Sequence, residues 1–335
     1  MLRLGTYPTP VEALPAISTR NTSIWIKRDD LTNPTYGGNK VRKLEKLLAD
    51  AKNRGAERIV TVGAVGSHHV LATGVFARSL GMKVEAVVLP QPGTEHVMEN
   101  LRADLAQGVE LLPASSYAGA AARIASRVAT GSYYIPAGGS NRLGATGYVE
   151  AAKELCDQVR SGAMPEPDLA VIALGSGGTA AGLLAGFAAD GMRTRVLAVT
   201  VAEPAWLVER KARSLARELA PEVGRKELLS RLEIDRRYLG AGYGFPTEKG
   251  TEAIHRAAAV GVVLDHTYTA KAFAAVLDRV ANGHERTILY WHTLSSAAMA
   301  PLLVGAPEES SVTEKLRGLI RSAHESEDEA ALEPR

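Results

Sequence analysis

Leu169–Ala189, LAVIALGSGGTAAGLLAGFAA, carries no charged side chain and is long enough to cross a bilayer. Its middle argues against that. Gly175-Ser176-Gly177-Gly178-Thr179 would break a spanning helix and turn backbone polar groups toward lipid. The stretch reads instead as a strand at Leu169–Leu174, a glycine turn, and a buried helix at Thr179–Ala188. A strand that is apolar at every position belongs in a sheet covered on both faces, which is the parallel kind.

Working outward, short β-branched runs alternate with alanine- and leucine-rich stretches. Ser23–Arg28, Arg58–Val62, Lys83–Leu89, Val109–Leu112, Tyr133–Ile135, Arg195–Val199 and Thr287–Trp291 read as strands. Lys40–Asn53, Ser67–Leu80, Thr94–Gln107, Ala118–Ala129, Ala145–Val159, Ala205–Leu219 and Glu248–Val260 read as helices. This alternation predicts the α/β class. Gly162–Asp168, with two prolines, is the candidate domain crossing, and the chain after Pro307 reads as a last helix and an acidic, disordered end.

The bulk numbers fit two domains: 335 residues, 46% hydrophobic and 23% charged. A net charge of +2 gives no reason to expect nucleic acid or a membrane surface as partner. The single cysteine, Cys156, allows no internal disulfide and reads as buried on a helix. Met1–Gly5 runs into Pro8-Thr9-Pro10 with no apolar signal core, so the expected location is the cytoplasm.

Glycines between a strand and a helix let backbone N–H groups and the helix dipole meet an anion, so Gly175–Thr179 predicts a phosphate site. It is no Walker loop, because Gly178-Thr179-Ala180 lacks the lysine. It is no dinucleotide fingerprint either: the third glycine is missing, and no carboxylate ends the next strand. A second feature is Tyr36-Gly37-Gly38-Asn39-Lys40-Val41-Arg42-Lys43, which puts three cations at a helix start that disfavours them. An anionic ligand would offset that clustering. A lysine amine that forms an imine with pyridoxal phosphate suits Lys40, with Lys43 one turn on and aimed at the phosphate.

These blocks, in this order, resemble the D-cysteine desulfhydrase / 1-aminocyclopropane-1-carboxylate deaminase branch of the pyridoxal-phosphate enzymes of fold type II. The matching residues are Ile26–Leu31, Gly37–Glu45, Gly63-Ala64 with Ser67, Pro136–Asn141 with Gly144 and Gly147-Tyr148, and Gly175–Thr179. Gly242–Thr247, Asp265 with Tyr268-Thr269 and Lys271, and His292-Thr293 complete them. The resemblance implies two domains, each an open, mostly parallel twisted sheet covered by helices. The expected division is a large cofactor domain, 1–48 with 162–335, and a small one, 49–161.

The resemblance also implies pyridoxal 5'-phosphate as cofactor, a small amino acid as substrate, and a homodimer. Lys40 would hold the cofactor as an imine and Lys43 with Gly175, Ser176, Gly177, Gly178 and Thr179 would hold its phosphate. Asn39, His68, Thr269 and Thr293 would complete the cofactor contacts. Ser67, Tyr243 and Tyr268 would join Lys40 in catalysis, and with His68, His69 and Leu294 would meet the substrate. His68 and His69, with one cysteine in the chain and no paired acid nearby, make no metal site. Thr269 and Thr293 stand where ring-opening members carry glutamate and leucine, which implies β-elimination from D-cysteine or an analogue. The alternatives are ring-opening deamination, β-replacement or racemisation, and a non-catalytic protein that binds cofactor or amino acid. Several positions depart from the family pattern: His68 replaces an asparagine, Leu294-Ser295 replaces two glycines, and Gly66 replaces a glutamine.

Overall fold

The structure, a computed structural model, describes residues 2–321. Strands run in chain order as β1 (Val11–Ala13), β2 (Ser23–Arg28), β3 (Arg58–Ala64), β4 (Lys83–Leu89), β5 (Gln91–Pro92) and β6 (Glu110–Pro113). They continue as β7 (Tyr133–Ile135), β8 (Leu169–Leu174), β9 (Arg195–Thr200), β10 (Leu232–Asp235), β11 (Thr287–His292) and β12 (Ile320–Arg321). The helices begin with α1 (Lys40–Asn53), α2 (His68–Ser79), α3 (Glu95–Ala106), α4 (Tyr117–Ala129), α5 (Arg142–Arg160) and α6 (Gly178–Ala189). After them come α7 (Ala205–Leu219), α8 (Arg225–Ser230), α9 (Glu248–Ala258), α10 (Thr269–Asn282) and the single turn α11 (Glu314–Arg317).

The chain divides into two compact units, and the class is α/β as expected. The larger takes Gly5–Lys43 and Ser140–Ser296; the other takes Leu44–Gly139 with the chain up to Leu4 and from Ala297 on. In the larger unit the sheet order is β1-β2-β11-β8-β9-β10. All neighbours are parallel except β1, which pairs antiparallel with β2 at one edge. The other unit has a parallel four-stranded sheet, β6-β4-β3-β7, and a separate parallel pair, β5 with β12.

The opening stretch behaves as its composition demands. Alternate residues of β8 face opposite ways: Ala170, Ile172 and Leu174 join the core under α5, α6 and α7, while Leu169 and Val171 join the core under α9 and α10. Period-two alternation between two apolar cores leaves no polar position, so the strand reads as uniformly apolar. α6 is buried on nearly every side, which is why it carries no charge. Among the described residues no helix is long and apolar enough to cross a membrane.

The observed units place four segments differently from the expected division: the chain up to Leu4, residues 44–48, residues 140–161 and the chain from Ala297. Residues 140–160 lie in the larger unit because α5 packs its buried face (Tyr148, Ala151, Ala152, Leu155) into the same core as α6. The chain from Ala297 lies with the other unit, where Ile320 pairs with Gln91 and the Gln107 amide donates to the Leu302 carbonyl. Helix bounds shift by a residue or two; α5 starts earlier than expected, at Arg142, because Asn141 caps it through Gly144 N at 2.8 Å. β1, β10 and α10 were not anticipated. The acidic end lies outside the described residues.

Candidate active site

The larger unit holds most of the residues proposed for the cofactor. α1 begins two residues after Gly38, whose φ of +87° favours glycine. A Cβ there would also lie 2.5 Å from the Thr293 carbonyl oxygen. That close approach lets Asn39 N donate to Thr293 O at 3.1 Å, which fixes the start of the helix.

The three cations at this start have separate fates. Arg42 turns away into a buried network, donating from Nη2 to Asp29 Oδ1 at 2.8 Å and from Nη1 to Glu154 Oε2 at 3.0 Å. Those two carboxylates explain Arg42 without any ligand, so the anion argument narrows to the lysines. Lys43 is buried, and its amine donates to Ser140 Oγ at 3.2 Å. Lys40 is half-buried and donates to Asn39 Oδ1 at 2.6 Å, while Asn39 Nδ2 donates to Thr179 Oγ1 at 3.2 Å. One asparagine thus ties Lys40 to the glycine turn.

Burial lowers the Lys40 pKa to about 8, with Asp265 pulling it back up. Burial also drives Lys43 well below its ordinary value, and the neighbouring positive charges of Lys40 and Lys211 add to that. Lys211, on α7, was not anticipated. It follows from the packing of the turn: a Cβ on Gly177 would lie 3.1 Å from the backbone N of Ala212, so α7 runs against the loop. No local pattern on α7, with its several cations, marks Lys211 in the sequence.

Gly177 is the N-cap of α6 and offers no side chain to the first N–H groups. Ser140 Oγ lies 2.8 Å from Ser176 Oγ and accepts from Gly178 N at 3.2 Å. Ser140 therefore joins Lys43 to the turn, a role that nothing in its local sequence marks. A helix N-terminus whose N-cap residue has no side chain, hydroxyls at Ser176 and Thr179 and two mutually repelling lysines form a donor set suited to a phosphate dianion.

The hydroxyls of Tyr243 and Tyr268 lie 2.5 Å apart. Burial, with Tyr243 next to it, raises the Tyr268 pKa well above the ordinary value. Lys40 Nζ lies 5.7 Å from the centroid of the Tyr268 ring. Lys271 holds the loop that bears Tyr243: its amine donates to Leu239 O at 2.8 Å and Gly242 O at 2.9 Å. The Thr269 hydroxyl donates to Asp265 Oδ2 at 2.7 Å and accepts from Asp265 N at 2.7 Å, an arrangement that starts α10. Thr293 and Leu294 are half-buried, their backbone packed against Gly38.

Ser67, His68 and His69 belong to the other unit. Ser67 caps α2, its Oγ accepting from His69 N at 3.2 Å. His69 is buried with Nε2 2.9 Å from Thr61 Oγ1, which itself donates to Ile135 O at 2.8 Å. His69 therefore donates through Nε2. His68 Nε2 lies 3.0 Å from His96 Nε2.

Residues 2–293 match the family described as pyridoxal-phosphate dependent enzymes. The chain belongs to that family. A D-cysteine desulfhydrase of Klebsiella pneumoniae (strain 342) is 37% identical over 322 residues, spanning 89% of this chain and 94% of its own. A Pyrococcus furiosus protein provisionally named a 1-aminocyclopropane-1-carboxylate deaminase is 37% identical over 298 residues, spanning 86% and 89%. The crystal structure of an ACC deaminase homologue superposes with a TM-score of 0.77 at 32% identity, covering 90% of this chain and 95% of that one. The protein is thus a pyridoxal-phosphate-dependent enzyme of the group containing those two activities.

Proposed function

We propose that this enzyme catalyses β-elimination on a small amino acid, with D-cysteine or a close analogue as substrate and Lys40 as the lysine that binds the cofactor. One observation carries the assignment of Lys40: its amine, with a pKa of about 8, sits tied through Asn39 to a glycine turn suited to phosphate. Pyridoxal phosphate, when bound, supplies an electron sink that makes the α-proton of an amino acid acidic and lets a β-substituent depart.

The residues divide the remaining work. At pH 7 roughly a tenth of a group with this pKa is neutral, against less than about one part in a thousand for an ordinary lysine. Lys40 would therefore offer a neutral amine to hold the cofactor through its aldehyde, and the same amine would serve as the base for the substrate α-proton. Lys43, Ser176, Thr179 and the first N–H groups of α6 hold the phosphate, with Lys211 balancing its second charge. Asn39 orients Lys40. Tyr243 and Tyr268 share a hydrogen between their hydroxyls, so one stays a donor toward the departing group. Ser67 is assigned to the substrate by the resemblance, as are His69 and Leu294. Thr269 and Thr293, in place of glutamate and leucine, favour elimination over ring opening.

The test is a parallel assay on D-cysteine, L-cysteine and 1-aminocyclopropane-1-carboxylate, reading sulfide, pyruvate and 2-oxobutanoate. Sulfide with pyruvate from D-cysteine is the expected result; 2-oxobutanoate alone would replace it with the deaminase reading. Lys40→Ala should lose the cofactor absorbance and lower turnover by about 1,000-fold or more. Cofactor capture by the wild-type apoprotein should quicken as pH rises through about 8, because the reactive amine is the neutral form.

A further inference from the structure

Lys271 is the only charged residue in the run Thr269–Val276 at the start of α10, and the whole run is buried. Burial lowers its pKa to about 8, while Asp265 and Glu203 act in the opposite direction. Among the described residues its amine has no carboxylate within hydrogen-bonding distance. It donates to the carbonyls of Leu239 and Gly242, at 2.8 and 2.9 Å. A buried cation of this kind costs stability, and an apolar side chain would pack there without that cost. What the lysine adds is a fixed place for the chain between β10 and α9, which forms neither helix nor strand and bends at Gly242 with a φ of +131°. α10 grips that chain at two further points. Tyr238 OH donates to Asp278 Oδ2 at 2.7 Å, and Asp278 lies two turns beyond Lys271 on the same face of the helix. Three residues before Lys271, the N-cap Tyr268 meets Tyr243, hydroxyl to hydroxyl. Lys271 is the middle anchor, and one of its two carbonyls belongs to the residue just before Tyr243.

We propose that Lys271 is a positioning residue for the elimination: by holding the Leu239 and Gly242 carbonyls it keeps the Tyr243 hydroxyl on that of Tyr268, where one of the two donates toward the departing group. The proposal rests on the elimination reading, which gives the tyrosine pair that task. Lys271 acts through Tyr243 and takes no proton itself. Tyr268 stays in place without the lysine, because it starts α10 and its ring lies against the glycine turn, where a Cβ on Gly175 would be 3.0 Å from Tyr268 Cε1. Tyr243 sits on the irregular chain, so it is the partner that moves. Without the amine, the two carbonyls would regain partners by turning toward water, and the tyrosine contact would open.

Lys271→Met tests this beside Tyr243→Phe and the double variant. Lys271→Met should bind pyridoxal phosphate with wild-type affinity and absorbance, while kcat on D-cysteine falls about 10- to 100-fold. The double variant should be no slower than Tyr243→Phe alone, because both changes remove one contribution. Losses that multiply, or full activity in Lys271→Met, would overturn the proposal. So would a loss of cofactor affinity as large as the loss of kcat, which would make the lysine a support of the fold. A second readout needs no turnover. Ultraviolet titration should show one more tyrosine ionising near the ordinary value of about 10 in Lys271→Met than in wild type, and adding Tyr243→Phe should remove it. An unchanged titration overturns the positioning role. Should Lys271→Met not fold, Lys271→Gln, which keeps donor hydrogens on a shorter side chain, carries the same two measurements. A wild-type enzyme that turned over no amino acid would defeat the elimination reading, while the titration would still decide whether Lys271 holds Tyr243.

Discussion

Asp29 and Asp104 are both shut off from water, and they behave as opposite acids. Asp29, in the larger unit, accepts from Arg42 Nη2 at 2.8 Å, Tyr148 OH at 2.7 Å, Trp291 Nε1 at 2.8 Å and Thr9 Oγ1 at 3.0 Å. Burial pushes its pKa up, but Arg42 and the other donors outweigh burial and the net shift is downward. Asp104, on α3, has neither carboxylate oxygen in a hydrogen bond among the described residues, and burial alone drives its pKa well above the ordinary range. The first is a carboxylate surrounded by donors that favour its charge; the second is a carboxyl whose burial opposes ionisation. The difference teaches where this chain invests its buried polar groups. Asp29 and its donors lie behind the start of α1, where Arg42 is only two residues from Lys40.

The strongest way to break that contrast is Arg42→Met. It leaves Asp29 and Glu154 without their shared cation, a loss of about 3–5 kcal/mol for a buried pair. Denaturant unfolding should show it, and cofactor capture should weaken as the start of α1 loosens. Asp29 gives the sign of the pH dependence. Its pKa is depressed on folding, so its stabilisation is present above the unfolded value of about 4 and is lost as pH falls below it. The stability difference between wild type and Asp29→Asn should therefore shrink on acidification from pH 7 toward 3. A constant difference would mean that the network holds no net charge.

Next in size come the lysines that face the glycine turn. Lys43→Met should weaken binding of pyridoxal phosphate about 10- to 100-fold, the range of a hydrogen bond to a charged group. Binding of pyridoxal, which lacks the phosphate, should change little. Lys211→Met should show the same selectivity with a smaller loss. Equal losses for both ligands would show that these lysines support the fold and not the phosphate.

Much of this was legible in the sequence because the local signals agreed. The bounds of α1, β8 and α7 could be read directly, and the turn at Gly175–Thr179 announced itself by composition. α10 escaped because its first two turns, Thr269 to Val276, are buried on every side and show no polar face. β10 is four residues with two acids, LEID, and owes its place to pairing with β9. Arg42 was legible as a cation but not as the partner of Asp29 and Glu154, the latter 112 residues away. Long-range partners leave no periodic trace. Ser140 and Lys211 reach the turn through such contacts and were hidden for the same reason.

Asp104→Asn is the smallest expected effect and sharpens the contrast from its other side. In the wild-type chain, folding above pH 4 requires a proton to be placed on Asp104, since its pKa rises on folding. That favours the folded state only below the unfolded pKa of about 4. Stability is then lost with rising pH, by at most about 1.4 kcal/mol per pH unit from this one group. An asparagine keeps the shape and needs no proton, so at pH 7 the variant should gain about 0.5–2 kcal/mol, after the cost of a buried amide. The decisive observation is the difference between the two unfolding free energies at several pH values. It should grow from pH 4 to pH 7 in favour of the variant. Parallel curves would mean that Asp104 has a charged partner in the folded protein, and the two aspartates would no longer be opposites.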